Sequence, residues 1–283
     1  MNTPTHAISG LLKRWGSFCV GVAVIVCLSG CATTQYDPTS GENIRNLYTM
    51  DREIELGRGV VSDAVQAMQE QGIPINQDLQ KLATLSNMMH RIAAVSHFPD
   101  LPYTVTLIHT NIANAAAAPG GQLLFWEGLY DPEIGLVSND NELAAVMAHE
   151  IAHVTARHTT KSLTRTMPIN TALLFGAILA EMAEKDEIAM ALGISFLVYQ
   201  GIVLPRYSRA DEYEADRLGL FYMAKAGYDP HAAPQIWRRV HERDGDPGLL
   251  QYLSSHPSHR NRYRELERLL PEALELYHAA SGR

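Results

Sequence analysis

The chain has 283 residues, enough for one large domain or two small ones, and 46% of them are hydrophobic, enough to fill a core. With 23 basic residues against 31 acidic, the formal charge is −8 and no basic run interrupts the acidic body, which argues against a nucleic-acid partner. No low-complexity stretch and no repeat of solenoid period is present, so disordered and repeat architectures are set aside.

At the N-terminus, Lys13 and Arg14 precede an apolar run from Phe18 to Leu28 that ends in Leu28-Ser29-Gly30-Cys31. That is the layout of a secretory signal. The run falls short of the about 20 apolar residues that span a bilayer. Leu-Ser-Gly-Cys resembles the lipobox of bacterial lipoproteins, which implies that Cys31 is acylated, becomes the mature N-terminus and inserts its lipid in a bilayer. The three cysteines are Cys19, Cys27 and Cys31, so cleavage before Cys31 leaves one thiol and acylation consumes it. Ala32, and not Asp, follows Cys31, which by the sorting rule of diderm lipoproteins implies the outer membrane, facing the periplasm. The stretch 32–50 is polar, with Pro38 and Gly41, and reads as a flexible tether. The expected division is a signal peptide over 1–31, the tether over 32–50 and one domain over 51–283.

Within that domain, Asp51 to Gln71 has a helical pattern ended by Gly72 and Pro74. Asn76 is placed to cap a second helix, with Leu79, Leu82, Leu85, Met89 and Ile92 on one face. Tyr103 to Thr110 and Gln122 to Trp126 read as strands, the second entered through Pro119-Gly120-Gly121. Asn139 or Asp140 can cap an Ala-rich helix running through His149 to about Arg165. Two apolar limbs, Ile169 to Ala180 and Ile188 to Leu204, read as a packed hairpin, each shorter than a spanning helix. Ser208 and Asp211 form a capping box opening a helix to about Ala226, with Gly227 at its end. Two more helices follow, about Ala232 to Arg243 and Arg260 to Tyr277. Helices dominate and the few strands come early, so the class is α+β, mainly helical with a small β-sheet.

His149-Glu150-Ile151-Ala152-His153 carries the chemistry. Residues i and i+4 lie one turn apart on one helix face, so both imidazoles can hold one metal ion, and imidazole joined by a carboxylate suits zinc. Glu150 sits where it can reach a metal-bound water as general base. No Cys remains in the mature chain, so the third ligand is His, Asp or Glu. His158, five residues on from His153, reads as a surface or capping residue. Glu212 and Asp216 share one face of the later helix. They are either a solvated acidic face or, more economically, a ligand (Glu212) and a carboxylate accepting the outer N–H of a ligating His (Asp216).

His-Glu-Ile-Ala-His followed some sixty residues later by Ser208-Arg209-x-x-Glu212-x-Glu214-Ala215-Asp216 resembles the gluzincin family of the heat-shock protease HtpX and the CAAX prenyl endopeptidases, with exported bacterial members that include lipoproteins. Asn114-Ala-Ala-Ala-Ala-Pro-Gly-Gly121, Gly227-Tyr-Asp-Pro230 and His256-Pro257 with Arg262 resemble further elements of that family, and the likeness runs from about Asp51 to Leu270. It implies a zincin-like metalloprotease domain with one Zn2+ per chain on His149, His153 and Glu212, Glu150 as base and Asp216 orienting a ligand. It also implies Asn114, His256 and Arg262 along the cleft, and protein or peptide substrates. Ala116 departs from the family's usual aromatic at that position, which puts the strand's substrate contact in doubt.

The expected mechanism has Glu150 activating a zinc-bound water, while Arg262 or protonated His256 supplies a donor to the oxyanion; the sequence does not choose between them. At rest, neutral His256 would fill the fourth zinc position and leave it on substrate entry, the alternatives being a fixed donor or a loop His with no metal contact. An extended peptide is expected beside the Gln122 to Trp126 strand. The expected function is a membrane-anchored zinc endopeptidase acting on misfolded or misassembled cell-envelope proteins. The competing readings are an envelope chaperone or assembly factor with a structural zinc site, against which Glu150 speaks, and a zinc amidase.

Overall fold

The computed structural model describes residues 33–133, 135–167, 207–243, 252, 256 and 261–282. Cys31 with its leader, and the apolar limbs at 169–180 and 188–204, lie outside these residues.

The stretch read as a tether is ordered into two strands, β1 (Thr33–Asp37) and β2 (Glu42–Asn46), paired as a two-stranded sheet. Its composition is polar, but the polarity closes the turn. Asp37 is buried and accepts from the Thr39 amide at 3.0 Å and hydroxyl at 2.7 Å, and Gly41 takes the positive φ the turn requires. Thr49 caps α1 (Met50–Glu70), accepting from the Arg52 amide. Asp78, and not Asn76, caps α2 (Leu79–Ala93). Asn76 instead sits at φ 56°, a region Asn tolerates better than most residues, and its side chain accepts from the Leu107 amide at 2.7 Å.

Three strands form the second sheet: β3 (Thr104–Ile108), β4 (Ala115–Ala118) and β5 (Gln122–Trp126). The order is β3-β5-β4, with β5 parallel to β3 and antiparallel to β4. β4 was not expected, because four alanines carry neither β-branching nor alternation. Its presence puts β5 in the interior of the sheet, so β5 has no edge for a peptide to join. The outer side of β3 is bridged by Ile75 to Ile108, whereas β4 has no second strand partner among the described residues.

Asn139 caps α3 (Asp140–Thr155) through the Asn141 and Glu142 amides. Every residue from Leu143 to Thr155 is buried, so α3 is a central helix covered on all sides. It does not run on to Arg165 in one piece. Ala156 and Arg157 form a turn, Arg157 adopts φ 57°, and residues 158–167 are helical again. The capping box of Ser208 and Asp211 opens α4 (Arg209–Lys225), and Gly227 follows at φ 79°. α5 (Ala232–Glu242) and α6 (Arg262–Ser281) complete the described helices. The fold is α+β and mainly helical, with small β-sheets.

The chain divides into two compact units. In the larger (36–43, 48–160 and 205–283), α3 packs against α2, α4, α5 and β4, and α6 packs against α4 and α5. Gly219 sets the approach of α4 to α3, since a Cβ there would lie 3.0 Å from the His149 amide nitrogen. Of the smaller unit, 33–35, 44–47 and 161–167 are described. There the Thr164 hydroxyl donates to Asn46 Oδ1 at 3.1 Å and accepts from the Leu47 amide, while Gln35 donates to the Asn46 carbonyl. No helix among the described residues is long and apolar enough to cross a membrane.

Candidate metal centre

α3 and α4 lie close enough at Gly219 for their side chains to share one buried space. His149 and His153, one turn apart on α3, turn their Nε2 atoms toward each other at 3.0 Å. Glu212, in the first turn of α4, brings Oε2 within 3.5 Å of His149 Nε2 and Oε1 within 3.5 Å of His153 Nε2. His256 adds Nδ1, 3.3 Å from His149 Nε2 and 3.2 Å from Glu212 Oε1. These four buried donors are the one such group among the described residues. Four ligands at about 2.0–2.1 Å from a tetrahedral ion lie about 3.3–3.4 Å from one another; the separations just given approach that spacing, and one donor atom from each of the four residues lies within 4.8 Å of the others. Three ring nitrogens and a carboxylate oxygen gathered at one buried point suit a bound cation.

The surroundings hold each donor in place. Asp216, one turn along α4, lies 3.1 Å from His149 Nδ1, the contact expected for the outer nitrogen of a ligating His. Arg262 donates through Nε to Asp216 Oδ2 at 2.7 Å and through Nη2 to Asp216 Oδ1 at 2.6 Å, and its Nη1 forms an ion pair with Glu212 Oε2 at 2.6 Å. Its guanidinium lies over the Trp237 ring at 3.3 Å. Tyr207 stacks on His153 at 3.8 Å, and Tyr252 stacks on His256 at 4.8 Å.

The charge states follow this packing. Burial pushes Glu212 and Asp216 up, yet Arg262 overrides it, and Glu212 falls well below the usual carboxylate range while Asp216 is lowered. Burial pushes His149 down, but Asp216 and Glu212 on its two nitrogens outweigh it and raise His149 to about 9. His153 is lowered well below the usual range by burial and by the neighbouring His149. Burial raises Glu150, which lies beside the donors with Oε1 3.3 Å from His256 Nε2.

The residues singled out in the sequence therefore gather unequally. His149, His153, Glu212 and His256 converge, with Glu150 at their side and Asp216 behind His149. Arg262, expected along the cleft, is only 1% exposed and contacts Glu212 and Asp216. Asn114 is fully buried just before β4, and its side-chain amide makes no hydrogen bond among the described residues. His158 is buried, not at the surface, and its Nδ1 meets His153 Nδ1 at 2.8 Å. Sequence reasoning also passed over Tyr207, Trp237 and Tyr252. The signals were slight: an aromatic directly before Ser208, and a tyrosine one helical turn before His256 whose carbonyl accepts the His256 amide.

Residues 79–270 match the sequence profile of Peptidase family M48. The chain belongs to this family. It is 30% identical over 240 residues to the mitochondrial metalloendopeptidase OMA1 of Schizosaccharomyces pombe, covering 84% of this chain and 67% of that protein. It is 29% identical over 208 residues to human mitochondrial metalloendopeptidase OMA1, covering 71% of this chain and 39% of that one. To the beta-barrel assembly-enhancing protease of Yersinia pestis it is 26% identical over 224 residues, covering 78% and 43%. The chain thus spans less than half the length of the human and Yersinia relatives. As an M48 metalloendopeptidase it has its candidate zinc site at His149, His153 and Glu212, with His256 as the further donor.

Proposed function

We propose that this M48 protein is a zinc endopeptidase that cleaves misfolded or misassembled cell-envelope proteins, held by a lipid on Cys31 to the outer membrane and facing the periplasm. The observation that carries the chemistry is Glu150, a buried carboxylate that belongs to no structural pair with Arg262 and lies against the donor cluster. Four protein donors are also the count of a closed structural site. Glu150 makes no hydrogen bond among the described residues and lies beside the donors, where a base for an attacking water would stand, and that supports catalysis.

His149, His153 and Glu212 would hold the ion, which when bound supplies a Lewis acid for the scissile carbonyl and acidifies water. Glu150 accepts the proton of the attacking water and returns it to the leaving amine. Asp216 fixes the His149 ring, and Arg262 fixes Glu212 and Asp216. His256, whose Nδ1 completes the donor set and whose Nε2 faces Glu150, closes the site at rest and donates to the oxyanion once substrate displaces it. An extended substrate adds to the outer edge of β4, since β5 is interior and Ala117 and Ala118 line the cavity beside His153. Main-chain pairing of this kind selects for unfolded segments over particular sequences. The Leu28-Ser29-Gly30-Cys31 leader supports the envelope as the place of action, and the Yersinia relative's name, a beta-barrel assembly-enhancing protease, is compatible with it.

The test is cleavage of casein by the purified protein, with zinc measured on the same sample. Activity lost with a chelator and restored by zinc is expected; casein left intact by a fully zinc-loaded sample would return the protein to the chaperone reading. For the anchor, Cys31→Ser is expected to leave an uncleaved precursor or release the protein from membranes, and an unmodified Cys31 in the wild-type membrane fraction would refute it.

A further inference from the structure

We infer that His158 and Glu214 are positioning residues for the metal ligand His153, forming a relay that ends the ligand's outer nitrogen on a carboxylate. The inference rests on the zinc reading above and concerns how one ligand is aimed.

His153 turns Nε2 into the donor cluster, so its ring proton resides on Nδ1, pointing away from the other donors. That Nδ1 lies 2.8 Å from Nδ1 of His158. Two nitrogens at this distance share one proton, so His158 Nδ1 is the acceptor and His158 carries its own proton on Nε2. His158 Nε2 in turn lies 3.1 Å from Glu214 Oε2, where it donates to the carboxylate. The order is fixed end to end: His153 donates to His158, and His158 donates to Glu214. The two ligand histidines thus differ. His149 meets its carboxylate, Asp216, directly, and His153 meets Glu214 through an intervening imidazole.

The chain path is built for this. After α3 the backbone reverses at Arg157, whose φ of 57° is a conformation disfavoured for a residue with a Cβ. Arg157 is held there by its Nε bond to the buried Glu53 at 2.7 Å and by Nη2 to the Tyr48 carbonyl at 2.5 Å, and the Thr160 hydroxyl joins Glu53 at 2.7 Å. A continuous helix would point residue 158 away from His153, as the sequence reading assumed. The strained turn swings it back, fully buried, under the ligand. On α4, Glu212 and Glu214 are two residues apart and so face different directions, one into the donor cluster and the other to His158.

The experiment measures zinc affinity of the full chain by competition with a chromogenic chelator, together with the absorption spectrum of the cobalt(II)-substituted protein and the unfolding midpoint of the metal-free protein. His158→Ala is expected to bind zinc about 10–100-fold more weakly, with altered cobalt bands. His158→Asn, whose Oδ1 can stand where Nδ1 does, recovers affinity to within about tenfold of wild type, and Glu214→Gln loses less than His158→Ala because the amide keeps an acceptor but not the charge. A purely structural role lowers the metal-free midpoint and leaves affinity and cobalt bands unmoved, and that result in His158→Ala and Glu214→Gln overturns the inference. Should His158→Ala fail to fold, Glu214→Gln, at the partly exposed end of the relay, decides by the same two readouts. Wild-type protein that takes up no zinc overturns the zinc reading itself, which separates that failure from a failure of the relay.

Discussion

Replacing Arg262 with Met removes the cation between Glu212 and Asp216 while keeping an unbranched side chain in its place. Arg262, Glu212 and Asp216 are all buried, and three contacts of 2.6–2.7 Å join them. Hydrogen bonds to charged groups contribute about 1.5–3 kcal/mol each, but the two to Asp216 and the ion pair with Glu212 share one guanidinium and do not add. Deleting one partner of a buried ion pair costs about 3–5 kcal/mol, and that is the figure to expect for metal-free protein. In a domain of this size it lowers the melting temperature by roughly 6–20 °C. With zinc in excess the gap narrows, because the ion restores a positive charge at Glu212. The pH dependence has a definite sign. Arg262 holds both carboxylates down against burial, so their stabilisation is complete above the ordinary carboxylate pKa of about 4 and fades as pH falls through their depressed folded values. In Arg262→Met the fade begins at higher pH. Thermal unfolding of both proteins with chelator and with zinc reads all of this. If the variant melts within about 2 °C of wild type in chelator and loses only kcat, Arg262 serves the oxyanion and not the ligands, and the reasoning fails.

Glu142, buried in the first turn of α3, accepts from the Ser138 amide at 2.7 Å and from Arg239, whose pull outweighs burial and lowers its pKa. Glu142→Gln should cost about 1.5–3 kcal/mol at neutral pH, the difference from wild type closing as pH falls below about 4, as urea unfolding at two pH values would show. Gly219→Ala sets a Cβ against the His149 backbone and should cost about 1–3 kcal/mol and weaken zinc binding; a variant with unchanged chelator competition would mean that α4 has room to shift. His256→Ala should alter the zinc X-ray absorption edge of the resting enzyme, since His256 Nδ1 stands in the donor set, and an unchanged edge removes it as a ligand.

The centre was legible where local rules fix geometry. His149 and His153 are one helical turn apart whatever surrounds them, and the Ser208 capping box sets the start of α4, hence the direction of Glu212 and Asp216. Arg262 was legible as a residue of the site, but only packing shows that its guanidinium contacts two carboxylates. β4 was invisible because alanine has no strand preference to read, and missing it made β5 look like an edge. His158 was misread for a similar reason. Its direction depends on a left-handed Arg157, and that conformation is stabilised by Glu53, more than a hundred residues earlier in the chain. Likewise Asp37 and Thr39 make a turn of a stretch whose composition alone resembles a tether.

The central claim, that Glu150 performs the proton transfer in a zinc site built by other residues, is tested most directly by Glu150→Gln. Casein cleavage and zinc content are measured on the same preparation. The variant should retain zinc at the wild-type ratio, because the ligands are untouched, and lose at least about 10²-fold in cleavage rate. Cleavage near the wild-type rate at equal zinc content would contradict the account, since the base would then lie elsewhere.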